Sequence, residues 1–404
     1  MNRQPFEKPP RWWSPHLSPT WLRVWRPLRR LQQRFGQRLD EVCLSGGQHV
    51  SHALAQGHGV LITPNHSSHA DGFAIYAAAD QLGVPLYAMM AWQVFARGGW
   101  LHQVILQHHG AFSVDREGID VAALRQAREI LQREPFPLVI FPEGEVYHLN
   151  ERLTPFRDGP AAIALMAARK SERPVSCIPC AIRYYYTEDP TEELLALMDR
   201  LELELHWPPR PELTLVTRIY QLAEGILALK EIEFTGHCSS GPIPERIGRL
   251  MESLLDRIER KYAVSNVGRS IPERVKTARH ALITKLANLD ETSPQRTGLM
   301  ADLDELFLVI QAFSYPGDYV AERPSLERIA ETLDKFEEDL LRKPTATVRG
   351  RRRAEVRCGE PITLSAGTEG KYSSATLTQA LQEQVAGLLG ADRSRVSRGA
   401  VRFA

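Results

Sequence analysis

The sequence predicts an α/β fold: a mostly parallel sheet flanked by helices, with a large all-helical insertion. Three observations carry this. Between residues 59 and 184, short apolar runs alternate with segments whose apolar residues recur every three or four positions. That is the texture of repeated strand–helix units. From residue 191 to about 342 the strand-like runs stop and only helical spacing is left. Strand character returns at 354–358 and 362–364. The chain therefore leaves the sheet after a fifth strand and comes back to finish it.

Residues 1–20 are rich in Pro and Trp and are expected to be irregular. Over 21–39, Trp21, Trp25 and Leu28 recur at helical spacing among Arg23, Arg26, Arg29, Arg30, Arg34 and Arg38. Such a helix suits a membrane interface, where rings sit at headgroup depth and guanidiniums meet lipid phosphates. It equally suits a helix docked on its own domain with a solvated basic face. Strands are expected at 59–63, 85–90, 110–114, 138–141 and 175–184, with helices at 70–82, 119–133 and 159–169. In the helical block, Ile247, Leu250, Met251, Leu254, Leu255, Ile258 and Tyr262 mark one helical face. Ser270-Ile271-Pro272-Glu273 is a capping-box start. Ile-Pro-Glu-Arg occurs at both 243–246 and 271–274, a reused helix opening. Further helices are expected at 326–341 and 377–389. The division is a basic arm at 1–40, the α/β domain at 41–190, the helical insertion at 191–345 and the returning strands and helix at 346–404.

The 404 residues are 43% hydrophobic and 25% charged, with a formal net charge of +1. This is ordinary globular composition, with no basic field of the kind nucleic acid requires. The arm alone carries nine Lys/Arg against two acids, so an anionic partner is expected for it. The cysteines, Cys43, Cys177, Cys180, Cys238 and Cys358, are odd in number and mostly scattered, unlike a secreted disulfide framework. Cys177 and Cys180 lie in a strand-like run, so two packed thiols are expected rather than a redox pair, which would open a helix. No apolar stretch approaches the ~18–20 residues needed to span a bilayer, and there is no apolar signal-peptide core. A cytoplasmic protein, peripheral on the membrane, is expected.

Sites in open α/β sheets form beyond the carboxyl ends of strands. Two charged motifs fall there: Asn65-His66-Ser67-Ser68-His69-Ala70-Asp71 after the first strand, and Phe141-Pro142-Glu143-Gly144-Glu145 after the fourth. His66 and Asp71 are five positions apart across a strand-to-helix turn. If the turn folds back, the carboxylate fixes one ring nitrogen and leaves the other to take a proton from a hydroxyl. Such base assistance contributes about 10²–10⁴ in rate. Alone, the pair also fits a helix start with incidental polar residues. Ser67 and Ser68 read as caps. His69 stands three residues from His66 without a third ligand at recognisable spacing, so no metal is expected. There is no Gly-x-Ser-x-Gly elbow and no glycine-rich nucleotide loop.

Four blocks in order carry more weight: Asn65-His66 with Asp71; Gly110-Ala111-Phe112-Ser113-Val114-Asp115-Arg116; Leu138-Val139-Ile140-Phe141-Pro142-Glu143-Gly144; and Val175 to Pro179. Over roughly residues 40–190 the chain resembles the glycerolipid acyltransferase family, lysophosphatidate acyltransferase type. Val356-Arg357-Cys358-Gly359-Glu360-Pro361-Ile362 looks like that family's late strand. The resemblance implies His66 as general base, Asp71 as its orienting partner, and direct transfer of a fatty acyl group from acyl-CoA or acyl-carrier protein without a cofactor. It implies substrate-binding roles for Asn65, Asp115, Arg116, Glu143, Gly144 and Pro179. Arg116 would hold the acceptor's phosphate and the Gly144 amide would face an oxyanion. The acceptor would be a lysolipid, and the protein monotopic on anionic lipid. Where the family often continues Glu-Gly with a basic pair, this chain has Glu145-Val146. The acceptor phosphate would then be masked, the acceptor would be another lipid alcohol, or Arg152 or Arg157 would supply the cation. Transacylation from phospholipid and lipid binding without chemistry are the rival readings.

Overall fold

A computed structural model of the chain describes residues 9, 11–118, 120–170, 172–264, 270–290, 292–365 and 370–390. The chain divides into two compact units, one containing Thr191–Thr347 and the other Lys8–Pro190 with Val348–Ala404.

The second unit carries, in chain order, α1 (Pro19–Leu31), β1 (Leu39–Ser45), α2 (Gly47–Ala55), β2 (Gly59–Pro64), α3 (Asp71–Leu82), β3 (Tyr87–Ala91), α4 (Trp92–Ala96), α5 (Trp100–His108), β4 (Ala111–Val114), α6 (Val121–Arg133), β5 (Leu138–Val139), α7 (Gly159–Arg169) and β6 (Val175–Tyr186). The other unit carries α8 (Thr191–Glu204), α9 (Leu215–Thr235), α10 (Ile243–Tyr262), α11 (Ile271–Ala287), α12 (Gln295–Phe313), α13 (Tyr319–Glu322) and α14 (Leu326–Leu340). The chain then returns with β7 (Arg352–Cys358), β8 (Ile362–Leu364) and α15 (Ser374–Gly390).

The eight described strands form one sheet in the order β1-β7-β6-β2-β5-β3-β4, with β8 beside β6. Every pairing is parallel except β6 with β7 and β6 with β8. Side chains alternate across the sheet. Ile178, Cys180, Ile182 and Tyr184 of β6 pack with α2 and α3 on one face. Val175 and Cys177 pack with α6, α7 and α15 on the other. Gly59 opens β2 where a Cβ would fall 1.9 Å from the Leu131 carbonyl oxygen, so only glycine lets the strand pass the end of α6.

Pro179 is buried inside β6, yet a proline removes a ladder donor. Its place explains the tolerance. β8 pairs with Val175–Cys177 and β7 begins at Cys180, so Pro179 sits where the partner changes. Its carbonyl still accepts from Gly359 N at 2.8 Å.

Several elements differ from expectation. β1 was not expected; the helix expected over 21–39 meets it only at Leu39. Its burial is irregular, with Leu39 and Val42 inside and charged residues between them, so period-2 alternation is lost. β5 is shorter than 138–141, although Ile140 N still donates to Ile62 O at 3.1 Å before the chain turns at Pro142. Ile119, expected to open α6, lies outside the described residues; Asp120 caps that helix by accepting from Ala123 N at 2.9 Å. The basic run at 349–353 feeds into β7, where Arg351 pairs with Asp40 at 2.7 Å and Arg353 with Glu355 at 3.0 Å.

For the arm, a membrane helix and a helix docked on its own domain were both open; residues 1–8 and 10 of it lie outside the described residues. Trp13 is buried and stacks on Phe95, centroids 5.4 Å apart. Trp21 stacks on Trp25 at 5.1 Å and lies 5.0 Å from the His108 ring. Trp12 is exposed, and along the helix Val24, Leu28, Leu31 and Phe35 are left open to solvent. Arg29 and Arg26 turn inward to Asp80, Arg29 through two bonds of 2.9 and 3.0 Å.

In the helical unit, α10, α11 and α12 share an apolar core. Both Ile-Pro-Glu-Arg copies open helices, and the Ser270/Glu273 capping box is formed. The block was expected to be all-helical, but the positions of α8, α9, α12 and α13 were not foreseen. In α9, Leu229 and Ile232 are exposed while Leu222 and Leu227 are buried, so no single stripe stands out. Arg218 is buried against Glu202 at 2.6 Å and Arg246 against Glu231 at 2.7 Å. Pairing of this kind is what lets a charge persist inside a protein.

Candidate active site

Strands β2 and β5 are parallel neighbours, in register at Leu61/Leu138 and Ile62/Val139. The loops that follow them therefore leave the sheet side by side. The β2 loop carries His66 to the start of α3, where Asp71 is the first residue. The turn folds back: His66 Nδ1 lies 2.8 Å from Asp71 Oδ2. The same oxygen accepts from Ser68 N at 3.0 Å, while Oδ1 accepts from the Tyr184 hydroxyl at 2.7 Å. Asp71 is fully buried, whereas the His66 side chain is 23% exposed. The Phe141 ring lies under the imidazole at a centroid distance of 4.2 Å. With a carboxylate facing Nδ1, that nitrogen carries the proton. Among the described residues, none hydrogen-bonds Nε2, so its lone pair is available. Ser68 Oγ accepts from Ala70 N at 3.2 Å, within the turn; the residue before α3 is Ala70 and no side chain caps the helix, which corrects the expectation for Ser67 and Ser68. The rings of His69 and His148 meet edge to face at 5.4 Å.

The resemblance put Glu143 and Asn65 among substrate contacts. Both are buried behind the base and hold backbone. Glu143 Oε1 accepts from the His66 amide at 2.7 Å, and Oε2 accepts from the amide (3.0 Å) and hydroxyl of Thr154. Glu143 thus ties the base loop to the segment before α7. Burial pushes its carboxyl up to about 7, although these donors and His66 oppose the shift. Asn65 bonds both ways with Ile182, donating to its carbonyl at 3.0 Å and accepting from its amide at 2.7 Å. Asn150 does the same with Tyr184, at 2.8 Å each way. Strand β2 ends at Pro64, opposite Cys180. Beyond that point the two asparagine side chains replace the missing strand and keep β6 extended as far as Tyr184. This satisfies buried backbone groups that would otherwise be costly.

The end of β4 supplies the second block. Asp115 is spent on its own turn: its amide donates to Asp120 Oδ2 at 2.8 Å and its Oδ1 accepts from Glu117 N at 3.1 Å. Arg116 reaches to the β5 loop, donating to the Gly144 carbonyl and pairing with Glu145 at 2.8 Å. Gly144 has φ +78°, a conformation glycine adopts without strain. Its amide donates to Phe141 O at 3.2 Å, which corrects the expectation that it faces an oxyanion. Arg157 packs against this turn; a Cβ on Gly144 would fall 2.7 Å from its Cζ.

A base with an ordered tautomer, set among motifs in this order, now meets an independent comparison. Residues 46–183 match the family model described as Acyltransferase. The matched model is that of the glycerolipid acyltransferase family, lysophosphatidate-acyltransferase type, and it covers about a third of the chain. The match takes in His66, Asp71, Asp115, Arg116, Glu143, Gly144 and Pro179 and supports a general acyltransferase activity. No curated protein matches the chain. Tyr184 lies one residue beyond the matched segment and was not foreseen. The sequence signal for it is slight: three tyrosines, Tyr184, Tyr185 and Tyr186, end β6, and only register tells which one faces Asp71. Thr154 and Asn150, in an irregular segment, offered no pattern at all.

Proposed function

We propose that the protein is an O-acyltransferase that moves a fatty acyl group from acyl-CoA or acyl-carrier protein to the hydroxyl of a lysophospholipid or glycerol-phosphate-type acceptor. The observation that carries this reading is the 2.8 Å bond between His66 Nδ1 and buried Asp71. It leaves Nε2 to accept the proton of the acceptor hydroxyl as that oxygen attacks the thioester carbonyl. The Asp71 carboxylate supports the positive charge that develops on the ring. The tetrahedral intermediate then expels the thiolate, and the imidazolium returns the proton to sulfur. An ester and a free thiol result. The route uses no cofactor, metal or acyl-enzyme.

Lysophospholipid acceptors and long-chain acyl products reside in a bilayer, and no described helix is long and apolar enough to cross one. The exposed stripe of Val24, Leu28, Leu31 and Phe35, beside exposed Arg23, Arg30 and Arg34, supports a monotopic placement on anionic lipid at the cytoplasmic membrane face. The test is transfer from labelled acyl-CoA or acyl-carrier protein to a panel of lysolipids and glycerol 3-phosphate. Product from wild type and at least ~10²-fold less from His66→Ala is expected. Absence of product with either thioester, or an unchanged rate in the variant, overturns the proposal and favours transacylation or lipid binding.

A further inference from the structure

Two guanidiniums and one carboxylate stand beside the base. Arg116 comes from the β4 loop, with its guanidinium 2.8 Å from Glu145 Oε1 and a further bond to the Gly144 carbonyl. Arg157 lies against the same turn and is fixed by its backbone amide on Pro142 O at 2.9 Å. Burial pushes the Glu145 carboxyl up, but Arg116 and Arg157 outweigh this and hold it below the usual carboxylate range, with His66 adding to the effect. The Arg116 and Glu145 side chains are each about a fifth exposed, so solvent reaches the pair. Converging planar guanidiniums are the chemistry that recognises phosphate. Here the chain supplies an anion of its own. The trio sums to a single positive charge. That balances a monoanionic phosphodiester, whereas a dianionic monoester would meet the Glu145 carboxylate at close range.

We infer that Glu145 is a specificity-determining residue: a built-in counter-anion filling part of an anion subsite formed by Arg116 and Arg157, so that the acceptor carries a singly charged phosphodiester head group rather than a bare phosphate monoester. The substrate class rests on the acyl-transfer reading above; the subsite does not.

Two measurements on the full chain separate these. In the first, inorganic phosphate is titrated at pH 7.5 and binding read by calorimetry. Glu145→Gln, close in shape, is expected to bind about tenfold tighter than wild type, since one opposing, partly exposed charge is removed. Glu145→Asp is expected to behave like wild type, and adding Arg116→Gln to Glu145→Gln to abolish the gain. Equal phosphate affinity in wild type and Glu145→Gln, with both folded by thermal unfolding, overturns the subsite. In the second, a lysolipid with a glycerol phosphodiester head is compared with the same lysolipid ending in phosphate. Wild type is expected to favour the diester in kcat/KM, and Glu145→Gln to shift the ratio about tenfold toward the monoester. A wild-type preference for the monoester, or an unmoved ratio, overturns the specificity role. If wild type acylates neither, the acyl-transfer reading fails while the phosphate titration still decides the subsite.

Discussion

The phenol of Tyr184 donates to Asp71 Oδ1 at 2.7 Å, on the opposite side of the carboxylate from His66. Both groups are buried, so this bond fixes the plane in which Asp71 meets the imidazole. Burial and the adjacent Asp71 charge push the Tyr184 hydroxyl well above its ordinary range, so it stays a donor at every working pH. Tyr184→Phe leaves one carboxylate oxygen without this donor. Under the acyl-transfer reading, kcat is expected to fall about tenfold with KM nearly unchanged, and stability by about 1–2 kcal/mol. Steady-state kinetics and denaturant unfolding check it; a KM rise at constant kcat would instead mean that Tyr184 contacts substrate.

Glu143 makes the stability of the α/β unit depend on pH in an unusual direction. Burial raises its carboxyl from the ordinary range to about 7. Between about 4.5 and 7 the folded chain therefore holds a proton that the unfolded chain has released. Stability from this group is full below that window and is lost as pH rises through it. The lost contribution is on the order of 3 kcal/mol at the upper end. Glu143→Gln, which has nothing to titrate, is expected to flatten the curve over the window. Chemical denaturation of both proteins between pH 5 and 8 reads the slope, and identical slopes would place the titration elsewhere.

The sheet was legible because its strands are apolar and end in polar motifs. His66 and Asp71 were legible because they are five residues apart, so a local turn suffices to join them. What was hidden depends on contacts distant in sequence. Tyr184 meets Asp71 across 113 positions and Asn65 clamps Ile182 across 117. β1 was hidden for another reason: a strand with one neighbour and charged positions has no clean alternation. The Trp residues misled because amphipathic spacing identifies a face without saying what covers it. In the fold Trp13 is core, and the open stripe is Val24, Leu28, Leu31 and Phe35.

That stripe gives a membrane prediction with named residues. Val24, Leu28, Leu31 and Phe35 are each at least half exposed, and apolar area of this kind drives interfacial insertion. Replacing Leu28, Leu31 and Phe35 by Ser is expected to lower partitioning onto anionic vesicles at least about tenfold, at about 0.8 kcal/mol per methylene group inserted. Trp13→Phe, a change within the core, is expected to leave partitioning unaltered. Vesicle flotation compares the three proteins. Unchanged flotation of the triple variant would overturn the membrane role proposed for this stripe.

The arm is held to the α/β unit by a polar lock, and the lock titrates. Arg29 bonds both oxygens of Asp80 and also lies 3.2 Å from His109 Nε2. His109 Nδ1 donates to Ile105 O at 2.7 Å, so Nε2 accepts from the guanidinium and the ring is neutral. Burial pushes His109 down to about 4, with the Arg29 charge adding to it. The folded chain therefore resists a proton that the unfolded chain accepts below about 6.5. Stability is full above that value and is lost as pH falls from 6.5 toward 4, opposite in sign to Glu143. Protonation would set an imidazolium against Arg29, the residue that fixes α1. Lowering the pH from 7 to 5 is expected to expose the α1 connection to limited proteolysis before the sheet unfolds. His109→Gln, neutral throughout, is expected to resist that cleavage, and Asp80→Asn to show it already at pH 7 with a loss of about 1–2 kcal/mol. Cleavage that follows the same pH course in His109→Gln would assign the transition to another group and leave Arg29–Asp80 as a purely static contact.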